Sequence, residues 1–487
     1  MMKKIYLISL LCAFFCVSCD DFLTEMPKHE QTIENVVTDY SSAKNIVNGM
    51  YSQYEYSSNL GGYIYTNLAT QTGLWPANSM FEKMAYYQGN EGITSSIWQD
   101  LYKCINGANA AIFAISAADA SKFPSDKAKD ALIAEARCFR GFMNLQLMWY
   151  FAHWFDKADS PYGIIYRDQP ANLTNLMVDR ISVGDSYQYI IDDLEYAENN
   201  LGTYETPRYV SKEFAKVMHA KLLLVRAWEG DYAKALALVQ DVMDTAPAIF
   251  KMESNIDDLY SKAWDSNELL FCRYLGDAAA SAWGSGSYEY PYSAGLFDDK
   301  EFADIPTEWL EEDPRHDYII GEAYGPQQWQ VDAGVKGTVL TKLYREGRGK
   351  NSKDKFCSYV FRYAELYLMK AELLARTNPS DIASALKPLN DMRSQYLIPK
   401  LEPVPMPTTY QELMDAIFKE YVVTLFMENE TEWFASIRFE KDGSTWLKKL
   451  KGNDISYTTD QYCWPIPDDE IKAHDNEVIQ NPGLGNK

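Results

Sequence analysis

The sequence has few histidines and a shortage of basic residues, and each shortage excludes a class of protein. Its 487 residues include five histidines, none of them three or four positions from another, so the spacing of a zinc motif is missing. Lys and Arg number 46 against 69 Asp and Glu, which gives a net charge of −23. A chain this acidic is repelled by phosphate backbones, so no nucleic-acid partner is expected.

Motifs of the common enzyme classes are also missing. There is no Gly-x-Ser-x-Gly nucleophile elbow and no glycine-rich phosphate loop ahead of Lys and Ser or Thr. Carboxylates are abundant, and a glycoside hydrolase needs only two at the right separation, so hydrolysis stays open as a minor alternative. The interpretation adopted is a protein that is not an enzyme, with no catalytic residues, no metal and no cofactor.

Long apolar runs are scarce, and the most marked one lies at the N-terminus. Ile5 to Val17 is an apolar run of thirteen after a short basic segment, too short to span a bilayer and typical of a secretory signal. Val17-Ser18-Cys19 resembles the bacterial lipoprotein signal, in which the cysteine is acylated. We therefore expect residues 1–18 to be a cleaved signal peptide and Cys19 to carry the lipid, palmitate included.

The sequence does contain enough apolar residues for a packed core. Apolar residues make up 47% and charged residues 24%, which excludes global disorder, and the length fits two or three substructures. The cysteines beyond the lipid site are odd in number and widely spaced, so they indicate no disulfide framework. They are Cys104, Cys138, Cys272, Cys357 and Cys463.

Apolar residues recur at spacings of three and four along several segments, which predicts paired helices. Ser182 opens a capping-box pattern ahead of a helix that stops near Gly202, and Ser211 begins the next helix. Gly230 breaks that helix, and Asp231 is expected to cap a third, whose local text resembles the second helix of a tetratricopeptide repeat. A turn this short makes the last two helices antiparallel.

The same arrangement recurs elsewhere in the chain. Phe361 to Ala375 is predicted to be helical, with a partner helix in which Pro388 causes a kink or an end. Thr409 opens a second capping box, and Ser125 begins another long helix. Stacked helix pairs form an α-solenoid because each pair buries its face on the next. We predict a mainly α fold, a tetratricopeptide-like α-α superhelix.

Between about Arg273 and Lys355 the character of the sequence changes. The stretch from 276 to 349 holds ten of the 26 glycines and no evident long amphipathic helix. We expect a loop-rich, partly β insertion over the scaffold, carrying the ligand site. The predicted organisation is 1–18, signal peptide; 19–272, N-terminal helical region; 273–355, loop-rich aromatic segment; and 356–487, C-terminal helical region with a terminal signature.

Eight blocks of sequence follow one another in an order that is typical of one protein family. The blocks are Cys19–Leu23, Ala134–Arg140, Asp179–Leu194, Ala220–Leu223, Asn267–Phe271, Arg362–Glu372, Leu389–Arg393 and Trp464–Gly483. Together they resemble the SusD/RagB family of outer-membrane nutrient-binding lipoproteins. The chain departs from the family pattern at Tyr421, where Arg usually follows Glu, and at Glu432, where Arg is commoner before the Trp-Phe pair.

The resemblance implies four tetratricopeptide-like helix pairs and a non-catalytic role in nutrient uptake. Such a cell-surface lipoprotein binds an oligosaccharide or polysaccharide and delivers it to a partner TonB-dependent transporter of the SusC type. An outer-membrane location, lipid-anchored and facing the exterior, is implied as well, and Asp20-Asp21 after the lipid site favours it. The same importer role for peptides, a hydrolase, and a scaffold that binds only protein remain the alternatives.

Six aromatic residues in sequence that is typical of loops are predicted to bind the ligand. Sugars need flat aromatic faces for their C–H surfaces and polar groups for their hydroxyls. The three tyrosines within residues 288–292 alternate, so in an extended segment they share one face. For each ring, packing on the scaffold is an equally open interpretation. The six are Trp75, Trp283, Tyr288, Tyr290, Tyr292 and Trp329.

Six basic residues between Lys342 and Lys355 stand out on so acidic a chain. They suit contact with an acidic glycan or with a transporter loop. A solvated loop face is the favoured interpretation, since runs of charge usually lie in solvent.

Overall fold

The described part of the protein is mainly helical, as predicted. The computed structural model describes residues 35–74, 79–84, 91–274, 304–324, 329, 332–340, 342, 357–452, 455–474 and 477–484. The predicted signal peptide and Cys19 lie outside these residues. No helix among the described stretches is both long and apolar enough to cross a membrane.

Helices that pack on their neighbours in the chain make up the N-terminal part. In order they are α1 (Tyr40–Glu55), α2 (Gly62–Thr72), α3 (Ser79–Glu82), α4 (Glu91–Ala117), α5 (Asp126–Phe151), α6 (Val183–Asn200), α7 (Lys212–Arg226), α8 (Asp231–Thr245) and α9 (Ile256–Lys262). Helix α5 packs against α4 and α6, and α7 packs against α6 and α8. This successive pairing is what the spacing of apolar residues predicted.

The predicted helix starts are accurate where a side chain caps the helix. Ser125, Ser182 and Ser211 are the N-cap residues of α5, α6 and α7, and each hydroxyl accepts a hydrogen bond from the backbone N–H three residues on. The prediction that Asp231 caps α8 is wrong. Asp231 is the first residue of that helix, and its carboxylate instead accepts two hydrogen bonds from the Arg226 guanidinium.

The C-terminal part is also helical. Its helices are α10 (Asp304–Glu311), α11 (His316–Ile319), α12 (Tyr363–Thr377), α13 (Ile382–Gln395), α14 (Tyr410–Leu425), α15 (Thr431–Arg438), α16 (Trp446–Lys451) and α17 (Asp468–Ala473). Short 3₁₀ turns lie at Ala120–Lys122, Ala263–Asp265 and Thr459–Tyr462. Thr409 forms the predicted capping box, and α13 continues through Pro388 rather than ending there.

Three two-stranded antiparallel sheets occur among the described residues. They pair β1 (Leu269–Arg273) with β4 (Ser358–Arg362), β2 (Gly321–Tyr324) with β3 (Lys336–Val339), and β5 (Glu440–Lys441) with β6 (Ser444–Thr445). Phe361 therefore belongs to a strand, and the helix predicted from that residue begins two positions later, at Tyr363. The β2–β3 hairpin makes the insertion partly β, as expected.

The buried apolar side chains form two clusters. The first joins α1 and α4–α8 to β1 and β4, and it takes in Trp464 and Leu484 near the C-terminus. The second gathers around α9 and α12–α16. The two clusters do not follow the boundaries drawn from sequence at 272 and 356, which stay a prediction. The five cysteines beyond the lipid site are all buried.

Candidate functional site

Five of the six predicted ligand-binding aromatics lie outside the described residues and stay predictions. They are Trp75, Trp283, Tyr288, Tyr290 and Tyr292. The sixth, Trp329, is described and is 63% exposed, so its ring is open to solvent rather than packed on the scaffold. The residues that flank the other five are described, and their contacts show where the aromatic segments leave and rejoin the scaffold.

Both ends of the insertion meet the N-terminus of α2. The Gly62 backbone N–H donates to Ser358 Oγ at 2.9 Å, and Ser358 is the first residue of β4. Gly61 has a φ of 65°, and a Cβ there would lie 2.8 Å from Ser358 Oγ and 3.0 Å from Cδ of Arg273. Position 61 therefore needs glycine, both for its backbone conformation and for the close approach of β1 and β4.

Arg273 closes β1 and fixes the turn that precedes α2. Its fully buried guanidinium donates to four backbone carbonyls, those of Tyr54 at 2.8 Å, Leu60 at 2.7 Å, Glu55 at 2.9 Å and Ser57. The planar guanidinium carries five N–H donors in fixed directions, which suits it to several carbonyls at once. The turn between α1 and α2 is therefore tied to the point where the insertion leaves the scaffold.

Lys451 holds both flanks of the segment that contains Trp75. Its Nζ donates to the carbonyl oxygen of Gln71 at 2.8 Å and to that of Glu82 at 2.5 Å. Burial lowers the pKa of Lys451 to about 8, because the charged ammonium loses hydration. One side chain of α16 thus joins the chain before residues 75–78 to the chain after them.

Helix α2 connects the two aromatic regions. Its eleven residues rise about 16 Å at 1.5 Å per residue. The base of the insertion lies at its N-terminus, and the segment with Trp75 follows its C-terminus. Tyr63 lies within α2, where partial burial raises the pKa of its hydroxyl. The flanks of both aromatic segments are therefore held at the two ends of one short helix.

Two buried cations hold the described part of the insertion on the helical scaffold. The Arg315 guanidinium donates to Asp313 at 2.7 Å and to Glu420, on α14, also at 2.7 Å. Lys342 Nζ lies 3.0 Å from Glu428 Oε1. Both acceptors on the scaffold are carboxylates buried with their partners, so each cation is neutralised where it is buried.

The burial of Lys342 corrects its interpretation as part of a solvated loop face. Its side chain is 0% exposed, and burial lowers the pKa of its ammonium although Glu428 opposes that shift. The other five basic residues of the run lie outside the described stretches. At position 342 the positive charge therefore serves to attach the insertion, and it is not available to a ligand or a partner protein.

A pocket of about 340 Å³ lies between α4 and residues 167–176. Trp98 and Tyr102 line it, and Trp98 Nε1 donates to Glu470 Oε2 at 3.2 Å. The Arg167 guanidinium lies 5.9 Å from the centroid of the Tyr102 ring. Since these polar groups are already paired with each other or with backbone, the pocket offers mainly aromatic and apolar surface.

The arrangement around α2 suits non-covalent binding. Within the described stretches, no group of three or more His, Cys, Asp or Glu is placed to hold a metal ion. The charged groups at the base of the insertion pair with one another or donate hydrogen bonds to backbone carbonyls. The predicted aromatic residues lie in the sequence between these attachment points, and binding residues are commonly carried by segments that a rigid scaffold holds.

Sequence reasoning did not identify Arg273, Lys342 and Lys451 as buried cations that attach the flanks of the aromatic segments. Arg273 follows the apolar sequence Leu-Leu-Phe-Cys. A basic residue at the end of a buried strand is the local feature that could have indicated a buried cation. Lys342 and Lys451 stand among other basic residues, so nothing in their immediate sequence marks them as buried.

Two family models match the chain. The model described as "SusD family" matches residues 315–484, and the model described as "Starch-binding associating with outer membrane" matches residues 21–224. The chain is also similar to a SusD-like protein of Bacteroides ovatus, with 22% identity over 519 aligned positions that cover 98% of this chain and 88% of that relative.

Solved structures share the fold. A SusD superfamily protein from Bacteroides thetaiotaomicron superposes with a TM-score of 0.70 at 21% identity, covering 91% of this chain and 100% of the other. A laminarin-binding SusD-like protein gives a TM-score of 0.66 at 19% identity, covering 91% of this chain and 99% of the other. The family models at the two ends of the chain, a relative aligned over most of its length and the shared fold all support the resemblance to the SusD/RagB family.

Proposed function

We propose that the protein is a cell-surface lipoprotein that binds an oligosaccharide or polysaccharide and delivers it to a partner TonB-dependent transporter of the SusC type. It is held at the outer membrane by a lipid on Cys19 and does not alter the ligand covalently. SusD family proteins are non-catalytic binding proteins. The proposed ligand site consists of the six predicted aromatic residues, Trp75 and the five that belong to the insertion.

The observation that carries this proposal is that the described flanks of both aromatic segments lie at the two ends of α2. The flanks of Trp75 are joined by Lys451 at one end of the helix, and the insertion leaves and returns at the other. Attachment points at the two ends of a helix about 16 Å long are compatible with a ligand several sugar rings long. The exposure of Trp329 is consistent with a ring that is free to stack.

The matches support a glycan as the ligand and the outer membrane as the location. One family model carries starch binding and outer-membrane association in its description, and one structural neighbour is a laminarin-binding protein. Both starch and laminarin are neutral glucans. A neutral glucan also agrees with the acidic chain, since it is neither attracted nor repelled by a net charge of −23.

Calorimetric titration of the full-length protein in detergent tests the proposal. Malto-oligosaccharides and laminarin oligosaccharides are the probes, and at least one is expected to give saturable heat. Trp283→Ala and Tyr290→Ala should each weaken that binding by about 1–3 kcal/mol, the scale of one stacked ring. The matched control is Tyr189→Ala, which removes an aromatic side chain 43% exposed on α6, and it should leave the affinity unchanged.

The other outcomes each reject part of the proposal. Saturable binding of a peptide digest and of no glycan would assign the peptide-importing alternative. Release of shorter sugars from a bound glycan would identify a hydrolase. Binding to the transporter with no affinity for either class of small ligand would leave a scaffold that binds only protein.

The anchor and the partner need tests of their own. Labelled palmitate should enter the wild-type protein in cells and fail to enter Cys19→Ser, which should also leave the outer-membrane fraction. A TonB-dependent transporter should co-purify with the wild type from detergent-extracted outer membranes. Labelling that is equal in both forms, or purification without a transporter, would contradict these two parts of the proposal.

A further inference from the structure

A groove of about 580 Å³ lies between α1, α5 and the loop from 201 to 211 that joins α6 to α7. Its volume falls within the ~300–1,000 Å³ of typical small-ligand sites. Trp329, the described member of the predicted glycan-binding set, is not among the residues that line it. Its lining is mixed: two tyrosine rings, aliphatic side chains, hydroxyls, one amide, two carboxyl groups and one ammonium. The polar members are Tyr40, Lys44, Asn48, Glu135, Thr203, Glu205, Thr206, Tyr209 and Ser211.

Glu135 is the carboxyl group that α5 brings to the groove. Its Oε1 accepts a hydrogen bond from the Tyr51 hydroxyl at 2.9 Å, and that hydroxyl in turn accepts one from the Val210 backbone N–H at 3.1 Å. This chain of bonds crosses from α5 to α1 to the loop, so the three walls of the groove are fixed to one another. The orientation of the carboxyl group is fixed at the same time.

The Glu135 carboxylate has no ion-pair partner within 4.0 Å among the described residues. Lys44, the cation that shares the groove with it, lies with its Nζ 5.2 Å from the centroid of the Tyr40 ring. Burial raises the pKa of Glu135 to about 7, although the Tyr51 hydroxyl and Lys44 both oppose that rise. A buried carboxylate with no cation close to it is stabilised more by a bound cation than a carboxylate in solvent is.

We propose that this groove is a second binding site, for a saccharide that carries a primary ammonium group, with Glu135 as the counter-ion of that group. The nitrogen donates to the free carboxylate oxygen, Oε2. The Tyr40 and Tyr209 rings offer aromatic surface to the sugar, and Thr203, Thr206 and Asn48 offer partners for its hydroxyls. The site is independent of the glycan site proposed above.

The geometry favours an ammonium group over the other cations. A guanidinium group binds a carboxylate best through both oxygens, and one oxygen of Glu135 is already engaged by Tyr51. An ammonium is a point charge that needs one oxygen. A metal ion is disfavoured because the described residues around the groove do not supply three ligands of the usual types.

The test is calorimetric titration of the full-length protein at pH 7 with a matched pair of sugars. The probes are the tetrasaccharide of glucosamine and the tetrasaccharide of N-acetylglucosamine, which differ in whether the nitrogen can carry charge. The glucosamine form should bind at least tenfold more tightly. Glu135→Gln should remove that preference, and Glu205→Gln, which neutralises an exposed carboxylate in the same groove, should change it less than twofold.

Two further measurements separate a binding role from a structural one. Lys44→Met removes the cation that competes for Glu135, so the affinity for the glucosamine form should rise severalfold. Lowering the pH from 7.5 to 5.5 protonates the carboxyl group and also raises the charge of the sugar amines, so the ratio of the wild-type affinity to that of Glu135→Gln, in which the change of the amines cancels, should fall. The groups that share the groove are Lys44, Tyr40, Glu205 and Tyr209, and Tyr51 and Cys138 lie beside the carboxyl group.

Equal binding of the two sugars by the wild type would overturn the proposal. So would an unchanged affinity in Lys44→Met, which remains informative if Glu135→Gln proves poorly folded. Binding of a trilysine peptide that depends on Glu135, with no binding of the glucosamine form, would overturn the assignment to a saccharide. Trp283→Ala should leave binding at this groove unchanged. A negative result for the groove can therefore be told apart from a negative result for the proposed glucan site.

Discussion

The helix pairs α5–α8 and the region where the insertion is attached are both buried, but by different means. In the helix pairs most contacts are between rings and aliphatic chains, although buried ion pairs such as that of Arg140 on α5 with Asp193 on α6 also occur. The Phe142 ring, for example, packs edge-on against Tyr54, Phe214 and Phe271 at centroid distances of 6.2, 5.4 and 5.9 Å. Dispersion and the removal of apolar surface from water stabilise such contacts.

At the base of the insertion the buried groups are charged. The side chains of Arg315, Lys342 and Arg362 are each no more than 1% exposed, and all three pair with buried carboxylates. Such pairs add little net stability, but each charge becomes costly once its partner is removed. The comparison teaches that the scaffold tolerates changes that preserve volume, whereas the attachment of the insertion depends on charge complementarity.

The largest expected effect is the loss of Arg362. Its guanidinium donates to Glu428 at 2.7 Å, to Glu268 at 2.6 Å and to the Thr424 carbonyl at 2.5 Å. Arg362→Met leaves both carboxylates buried without that cation, and it should lower the free energy of unfolding by about 3–5 kcal/mol in urea titrations.

The matched variant in the helix pairs is Phe142→Leu. This change nearly preserves volume and should cost less than about 1.5 kcal/mol in the same titration. A cost for Arg362→Met no larger than that for Phe142→Leu would remove the distinction between the two regions.

The fold could largely be predicted from sequence because its signals are local. The hydroxyls of Ser125, Ser182 and Ser211 cap helices whose apolar faces recur every three or four residues, and both signals lie within a few positions of each other. Phe361 was assigned to a helix because its strand is defined by pairing with Phe271, 90 residues earlier. A strand specified by so distant a partner has no local marker.

The base of the candidate site could not be predicted for the same reason. The Arg362–Glu268 bond joins residues 94 positions apart, and the Lys342–Glu428 bond joins residues 86 apart. Acidic and basic residues are common along the chain, so no sequence pattern selects these pairs. The aromatic candidates are easier to identify, because aromatic residues within a glycine-rich stretch can be recognised from the local sequence. They stay predictions.

The next effect is the loss of Lys342. Lys342→Met removes the ammonium from Glu428 but leaves Arg362 as its partner, so the expected cost is smaller, about 2–3 kcal/mol. Because Lys342 attaches the insertion, the variant should also weaken glycan binding in calorimetry. Lys400→Met, at a position whose side chain is 77% exposed, is the control, and it should change neither quantity. Full glycan affinity in Lys342→Met would show that the insertion does not need this attachment.

A smaller effect should depend on pH. The Glu432 carboxyl group is buried, its Oε1 accepts from the Met427 backbone N–H at 2.7 Å, and burial raises its pKa to about 8. The pKa of this carboxyl group is higher in the folded state than in the unfolded state. Its contribution to stability is therefore complete below the unfolded-state pKa and is lost as the pH rises towards 8.

Between pH 6.5 and pH 8 the wild type should therefore lose about 1–2 kcal/mol that Glu432→Gln does not lose. Urea titrations at both pH values measure the difference. Glu402→Gln, at a position whose side chain is 79% exposed, should follow the wild type. Parallel pH profiles for the wild type and Glu432→Gln would mean that Glu432 is ionised in the folded protein.

The smallest effect is expected for an ion pair in solvent. It tests whether burial, rather than the proximity of the two charges, makes the ion pairs at the base of the insertion important. Lys387 and Asp391 are four residues apart on α13 and approach to 2.5 Å, yet their side chains are 71% and 44% exposed. Water already solvates both charges, so Lys387→Ala should cost less than about 0.5 kcal/mol in urea titrations. A cost near that of Lys342→Met would show that proximity of charges matters more than their burial, and the contrast between attachment and scaffold would then lose its physical basis.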